Sequence, residues 1–188
     1  MTPFKEVQTQ NKTGLFWILF ALTVLTIVGM QLTGSALVNK TAPGGIVTFE
    51  LAGTLAGSQG IIESWRGPAM TWAGINMGLD FLFLFLYAIT IALGCLILAH
   101  RMPKNFRSLQ TLGRWLALGI LVAAGLDIVE NISLILLLTG SENEFLSPLA
   151  RWMALPKFGL VLLALLYIVG GVGIDLMNRS KLSNRTAQ

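Results

Sequence analysis

The sequence predicts an all-α fold: a four-span transmembrane helix bundle with a short periplasmic amphipathic helical pair. Three observations predict it. The chain of 188 residues is 54% hydrophobic and 12% charged, with a mean hydropathy of +0.73, whereas soluble domains carry about a quarter of their residues charged. Four stretches exceed or approach the length of about 20 mainly apolar residues that crosses a bilayer: Gly14 to Leu32, Ala69 to Ala99, Thr111 to Leu138 and Pro148 to Met177. The basic residues sit at alternate ends of those stretches, which is how orientation is written into a membrane protein.

Residues 1–13 read as a cytoplasmic tail carrying Lys5 and Lys12, followed by a single bundle domain over residues 14–177 and a second cytoplasmic tail over residues 178–188. The first apolar run and the Gly34-Ser35-Ala36 after it have the outline of a secretory signal. The run outlasts a signal's h-region of roughly 7 to 15 residues, so it reads as a retained signal-anchor. Thr41-Ala42-Pro43-Gly44-Gly45 is a turn cluster, and interfacial helices are expected over about residues 45–66. In the first of them Glu50, Gly53, Thr54 and Gly57 follow the i, i+3, i+4, i+7 rule and share a face. A fifth span here would put the N-terminal lysines outside and leave an odd number of crossings, so a pair lying in the interface is preferred.

Gly67-Pro68 opens the second span with proline at N1, and Ser147-Pro148 opens the fourth with serine as N-cap. Arg101, Lys104, Arg107 and Arg114 mark the second connection as cytoplasmic, and Arg179, Lys181 and Arg185 mark the end of the chain likewise. The third connection carries Glu142 and Glu144 and no base, which suits the opposite side. Tryptophan prefers the boundary between headgroups and hydrocarbon, and Trp17 and Trp115 fall at inner ends, Trp65, Trp72 and Trp152 at outer ones. Both termini are thus expected inside, in a bacterial inner (plasma) membrane.

Several functions are set aside by composition. Basic residues at span ends, not on one polar face, give no nucleic-acid footprint. Cys95 stands alone in the second span, a buried thiol, and His100 has no His or Cys company for a zinc site.

The chemistry lies in polar residues within the spans. In the second span Asn76, Asp80, Phe83, Tyr87, Thr90 and Gly94 recur at alternating steps of four and three, forming one stripe that must face protein. In the third span Ala123, Asp127, Glu130, Asn131 and Leu134 form the equivalent stripe. Lys157 follows Pro156, whose missing N–H leaves the carbonyl of Trp152 without its helical partner. At about 1.5 Å per residue, Asp80, Asp127, Glu130 and Lys157 fall in one layer of the bilayer. Glu50, Glu63 and Arg66 approach that layer from the outer connection, and Arg151 from the start of the fourth span.

Acids outnumber bases there, and an unpaired buried carboxylate must take a proton, reach water or bind a cation. The candidate pocket, between spans two, three and four and open outward, comprises Glu50, Glu63, Asn76, Asp80, Tyr87, Asp127, Glu130, Asn131 and Lys157. Three chemistries fit it. Asp80, Asp127 and Glu130, with Asn131, are candidate ligands for a hard divalent cation such as Mg²⁺, Ca²⁺ or Mn²⁺. A chain of acids with Lys157 as counter-charge suits proton transfer. A neutral acid beside an ionised one suits acid/base catalysis on a lipid or isoprenoid, so a lipid-like ligand is a candidate partner besides the bilayer itself. The structural alternative is an assembly subunit in which these groups fix helix register, since polar side chains act as interhelical glue. No residue is singled out as catalytic, and oligomeric state is open.

Through Phe49-Glu50-Leu51-Ala52-Gly53, Ile61 to Trp65, Leu79 to Phe83 with Tyr87, and Asp127 to Asn131, the chain resembles a group of bacterial multi-span integral membrane proteins with no established activity. The resemblance covers roughly residues 46–138. It implies a bacterial inner-membrane location and supplies no catalytic residues.

Overall fold

A computed structural model describes residues 3–186, with side chains described over residues 13–177 except Lys104. The helices are α1 (Pro3–Gly34), α2 (Ile46–Glu50), α3 (Leu55–Ser64), α4 (Pro68–Arg101), α5 (Arg107–Leu138) and α6 (Leu146–Thr186), with 3-10 turns at Ser35–Leu37 and Lys104–Phe106. Four segments, Thr13–Leu37, Pro68–Arg101, Arg107–Leu138 and Leu146–Met177, are long and apolar enough to cross a membrane. Each contains one expected span. The helical backbone of α1 and α6 also runs through most of residues 1–13 and 178–188; the ends at 1–2 and 187–188 lie outside the described residues.

Contacts fix the arrangement. α4, α5 and α6 pack on one another, and α1 packs on α4. Thr23 meets Thr90 and Thr13 meets Arg101, so α1 and α4 are antiparallel. Asp127 meets Lys157, and Gly113 faces the Tyr167 ring, so α5 and α6 are antiparallel too. Gly94 faces Ile168 and Gly171 faces Leu98, which makes α4 and α6 parallel. The mid-bundle core is Leu84, Tyr87, Ile91, Cys95, Ala117, Ile120, Ala164 and Tyr167. Outward faces carry exposed apolar side chains such as Leu25, Phe85, Val122 and Leu163, the surface that a hydrocarbon solvent requires when all backbone groups are satisfied within helices.

The helical pair differs from the expectation in where it breaks. α2 ends at Glu50 after five residues, Gly53 adopts φ +71°, and Thr54 caps α3 by accepting a hydrogen bond from the Gly57 N–H at 3.2 Å. Glu50, Gly53, Thr54 and Gly57 therefore do not share one helical face. The left-handed conformation is open to glycine at little cost, and the Arg151 side chain lies against Gly53 where any Cβ would stand.

Of the five tryptophans, Trp17, Trp72, Trp115 and Trp152 are exposed, and Trp65 is fully buried. Its indole N–H donates to the Leu37 carbonyl at 2.8 Å and its ring meets Phe49 edge-on at 5.5 Å. With Leu37, Ile61, Met77, Leu134 and Leu137 it builds a second core that seats the helical pair on α4 and α5.

Ser147 is not an N-cap either. It lies one residue inside α6, and its hydroxyl donates to the Thr54 carbonyl at 2.9 Å and pairs with Ser58 at 2.7 Å, tying α6 to α3. Pro148 still falls in the first turn, where its missing N–H has no intrahelical acceptor to lose.

Replacing Ser147 with alanine strips the buried Ser58 hydroxyl of its partner. The expected loss is about 1–3 kcal/mol, read as a lower Tm of the detergent-solubilised protein and faster proteolysis between α2 and α3.

Candidate functional site

The buried charged side chains among the described residues are Glu50, Asp80, Asp127, Glu130 and Lys157, between 0% and 8% exposed. Helical spacing puts them together. Asp127, Glu130 and Asn131 lie one turn apart on the buried face of α5 with Ala123 and Leu134, and Asn76, Asp80, Tyr87, Thr90 and Gly94 lie on the buried face of α4. Phe83, on the same stripe, is half-buried and packs on Tyr87.

Lys157 of α6 is the centre. Its Nζ donates to Asp127 Oδ1 at 2.9 Å and lies 2.8 Å from Glu130 Oε2. The Phe158 ring covers it at 4.7 Å. Tyr87 donates its hydroxyl to Asp127 Oδ2 at 2.9 Å, so Asp127 is held from both sides. Charge-assisted bonds of this kind are the strong ones, and here they join α4, α5 and α6. Glu130 Oε1 has no partner, and neither amide atom of Asn131 has one in hydrogen-bonding geometry, although Asp80 lies beside it.

Asp80 has no ion-pair partner among the described residues. Glu50, at the end of α2 and outside the four spans, stands within electrostatic reach of Lys157, Glu130, Asp80 and Asp127. Burial pushes its carboxyl up to about 8, with the neighbouring acids adding to the rise and Lys157 opposing it. Its Oε2 meets no donor.

Three expected members stand elsewhere. Glu63 is exposed and paired with Arg66 on the surface of the helical pair, because the turn after α3 leaves both on its open side. Arg151 is exposed beside Gly53. Neither arginine enters the buried layer, so four carboxylates face a single ammonium there.

The space the cluster borders is also displaced from the expected one between spans two, three and four. A cavity of about 760 Å³ lies between α1, α4 and α6, capped by residues 44–50. Its polar lining includes Glu50, Asn76, Asp80, Tyr87, Asp127 and Lys157, with Thr23, Gln31, Ser35 and Thr90; its apolar walls include Phe16, Phe20, Val24 and Ile27 of α1 and Phe158, Val161, Leu165 and Ile168 of α6. Phe16 and Ile168 close the far end over Gly94, where an added Cβ would stand 3.2 and 3.1 Å from them. Glu130 and Asn131 sit behind this lining, on the α5 side.

α1 was the part of the site missed. Asn76 donates to the Met30 carbonyl at 2.8 Å and to Thr33 Oγ1 at 2.7 Å, and Thr23 shares a 3.1 Å hydrogen bond with Thr90. Thr23, Thr26, Met30 and Thr33 recur at three- and four-residue steps, a signal present in the sequence.

As for a hard cation, no group of three or more His, Cys, Asp or Glu among the described residues is arranged to hold a metal. Two of the three candidate ligands, Asp127 and Glu130, are engaged by Lys157, whose ammonium stands where a cation between them would. No protein-family profile, curated protein or solved structure matches the chain.

Lys157→Met leaves Asp127 and Glu130 buried without a counter-charge and is expected to cost about 3–5 kcal/mol. Glu63→Gln, which breaks the exposed pair, should cost no more than about 1 kcal/mol. Thermal unfolding of both variants in one detergent checks the contrast.

Proposed function

We propose that this protein is a multi-span membrane protein that binds or transfers a lipid-like molecule in the cavity between α1, α4 and α6. The single observation that carries this is the two-part lining: apolar walls on two membrane-spanning helices lead to a buried polar end. Small-molecule sites have this character, mostly apolar with a few placed polar groups. An acyl or isoprenoid chain would lie along Phe20, Val24, Val161 and Leu165, and its polar group would meet Glu50, Asn76 and Asp80.

The proposal includes the location. Basic residues at the ends of α4 and α5 favour the cytoplasm for both termini, and α2 and α3 then lie on the periplasmic side of a bacterial inner membrane.

A second reading is a membrane enzyme using acid/base chemistry on a lipid or isoprenoid. One observation favours it: Asp80 and Asp127 border the same cavity in different company, Asp127 bound by Lys157 and Tyr87, Asp80 by neither. Pairs of acids in unlike surroundings divide the roles of proton donor and acceptor.

Native mass spectrometry of protein released from a mild detergent tests the first reading. A co-purifying molecule of lipid mass is expected, with Val161→Trp, which fills the cavity, lowering its occupancy at least about tenfold at an unchanged Tm. Equal occupancy in both proteins would overturn the assignment.

A further inference from the structure

The unused hydrogen-bonding capacity at the cavity's buried end is mostly of one sign. Among its buried donors, two of the three N–H groups of Lys157 are taken by Asp127 and Glu130, with Phe158 over the ammonium. The Tyr87 hydroxyl is given to Asp127, and both hydrogens of the Asn76 amide go to α1. The threonine pair is satisfied, with Thr23 and Thr90 in contact and Thr23 also donating to the Leu19 carbonyl at 2.8 Å. What remains is mainly acceptor. Glu50 Oε2 and Asn76 Oδ1 have no donor, in side chains only 6% and 1% exposed that both line the cavity. Asp80 lines it as well, four residues after Asn76 on the same face of α4.

Charge has the same sign. Lys157 can neutralise one carboxylate of the four and is bonded to Asp127 and Glu130, so three negative charges, those of Glu50 and Asp80 among them, are left to protons or to a cation brought from outside. A buried acceptor without a donor is costly, and an anionic headgroup entering here would face those two acids, with the third N–H of Lys157 the one donor left over among the buried basic and amide groups of the lining.

We propose that the occupant is a cationic amphiphile: a long-chain molecule bearing an ammonium group, with the ammonium among Glu50, Asp80 and Asn76 Oδ1 and the chain along the α1 and α6 walls. This rests on the lipid-like reading of the cavity and narrows it to one class of polar group. The ammonium donates where the lining mainly accepts, and it supplies positive charge where the lining has acids in excess. A primary amine has the shape for this, presenting several N–H donors from one compact head. The same group occurs on simple long-chain amines and on amine-headed phospholipids, in which a phosphate accompanies it.

The test is occupancy by native mass spectrometry from phosphatidylcholine nanodiscs doped, at equal mole fraction, with hexadecylamine, hexadecanol or hexadecanoate. The amine is expected at an occupancy at least about tenfold above the other two. Glu50→Gln with Asp80→Asn should bring the amine down to the level of the alcohol and leave the alcohol unchanged. Should the double variant fail to fold, Asp80→Asn alone, which preserves shape, should lower the amine and spare the alcohol. A further arm with phosphatidylethanolamine separates the two sources: occupancy equal to that of hexadecylamine assigns the site to an amine-headed phospholipid, and occupancy at the level of the alcohol assigns it to a simple amine. Equal occupancy by amine, alcohol and carboxylate, all removed by Val161→Trp, overturns the cationic assignment while the lipid-like site stands. No occupancy by any of them overturns both.

Discussion

The ammonium of Lys157 is the contact on which the rest of the bundle depends. In hydrocarbon-like surroundings a lone charge is too expensive to keep, whereas one held between two carboxylates has partners for two of its three N–H donors and opposite charge beside it. Because Asp127 and Glu130 are one turn apart on α5 and Lys157 is on α6, the contact sets the height at which those two antiparallel helices meet. Tyr87 extends it to α4. Three helices that could slide on smooth apolar faces are thereby given one register.

That contact also sorts the acids into two kinds. Asp127 and Glu130 are spoken for and support the packing. Glu50 and Asp80 border the cavity without an ion pair among the described residues, although Lys157 lies within electrostatic reach of both, and this is the part of the polar layer with chemistry left to do. α1 makes the division possible: it is anchored to α4 through Thr23 and Asn76, and its aromatic and aliphatic side chains form a wall facing α6 instead of filling the space between them. The capping turn at residues 44–50 then places Glu50 over the end of that space.

Much of this was legible in the sequence because helical spacing is a strong constraint in a membrane. The stripe Asn76, Asp80, Tyr87, Thr90 and the stripe Asp127, Glu130, Asn131 had to face protein, and all seven side chains are buried. What was not legible depended on chain direction outside the spans. Glu63 and Arg66 have the same residue types as the buried groups, and only the turn after α3 decides that they meet at the surface. Ser147 resembles a cap until a partner as distant in sequence as Ser58 takes its hydroxyl. Trp65 carries the usual mark of an interfacial residue, yet the Leu37 carbonyl and the Phe49 ring claim it for the interior. The cavity moved from the α5 side to the α1 side for a similar reason: periodicity tells which face of a helix is buried, not which neighbour leaves room beside it.

A double-mutant cycle between Lys157 and Glu130, using Lys157→Met and Glu130→Gln and reading unfolding free energies in a bilayer-like detergent, tests the central contact directly. The account predicts a coupling of about 1 kcal/mol or more, above the roughly 0.6 kcal/mol average of interhelical polar pairs. Stabilities that add to within about 0.3–0.5 kcal/mol would contradict it.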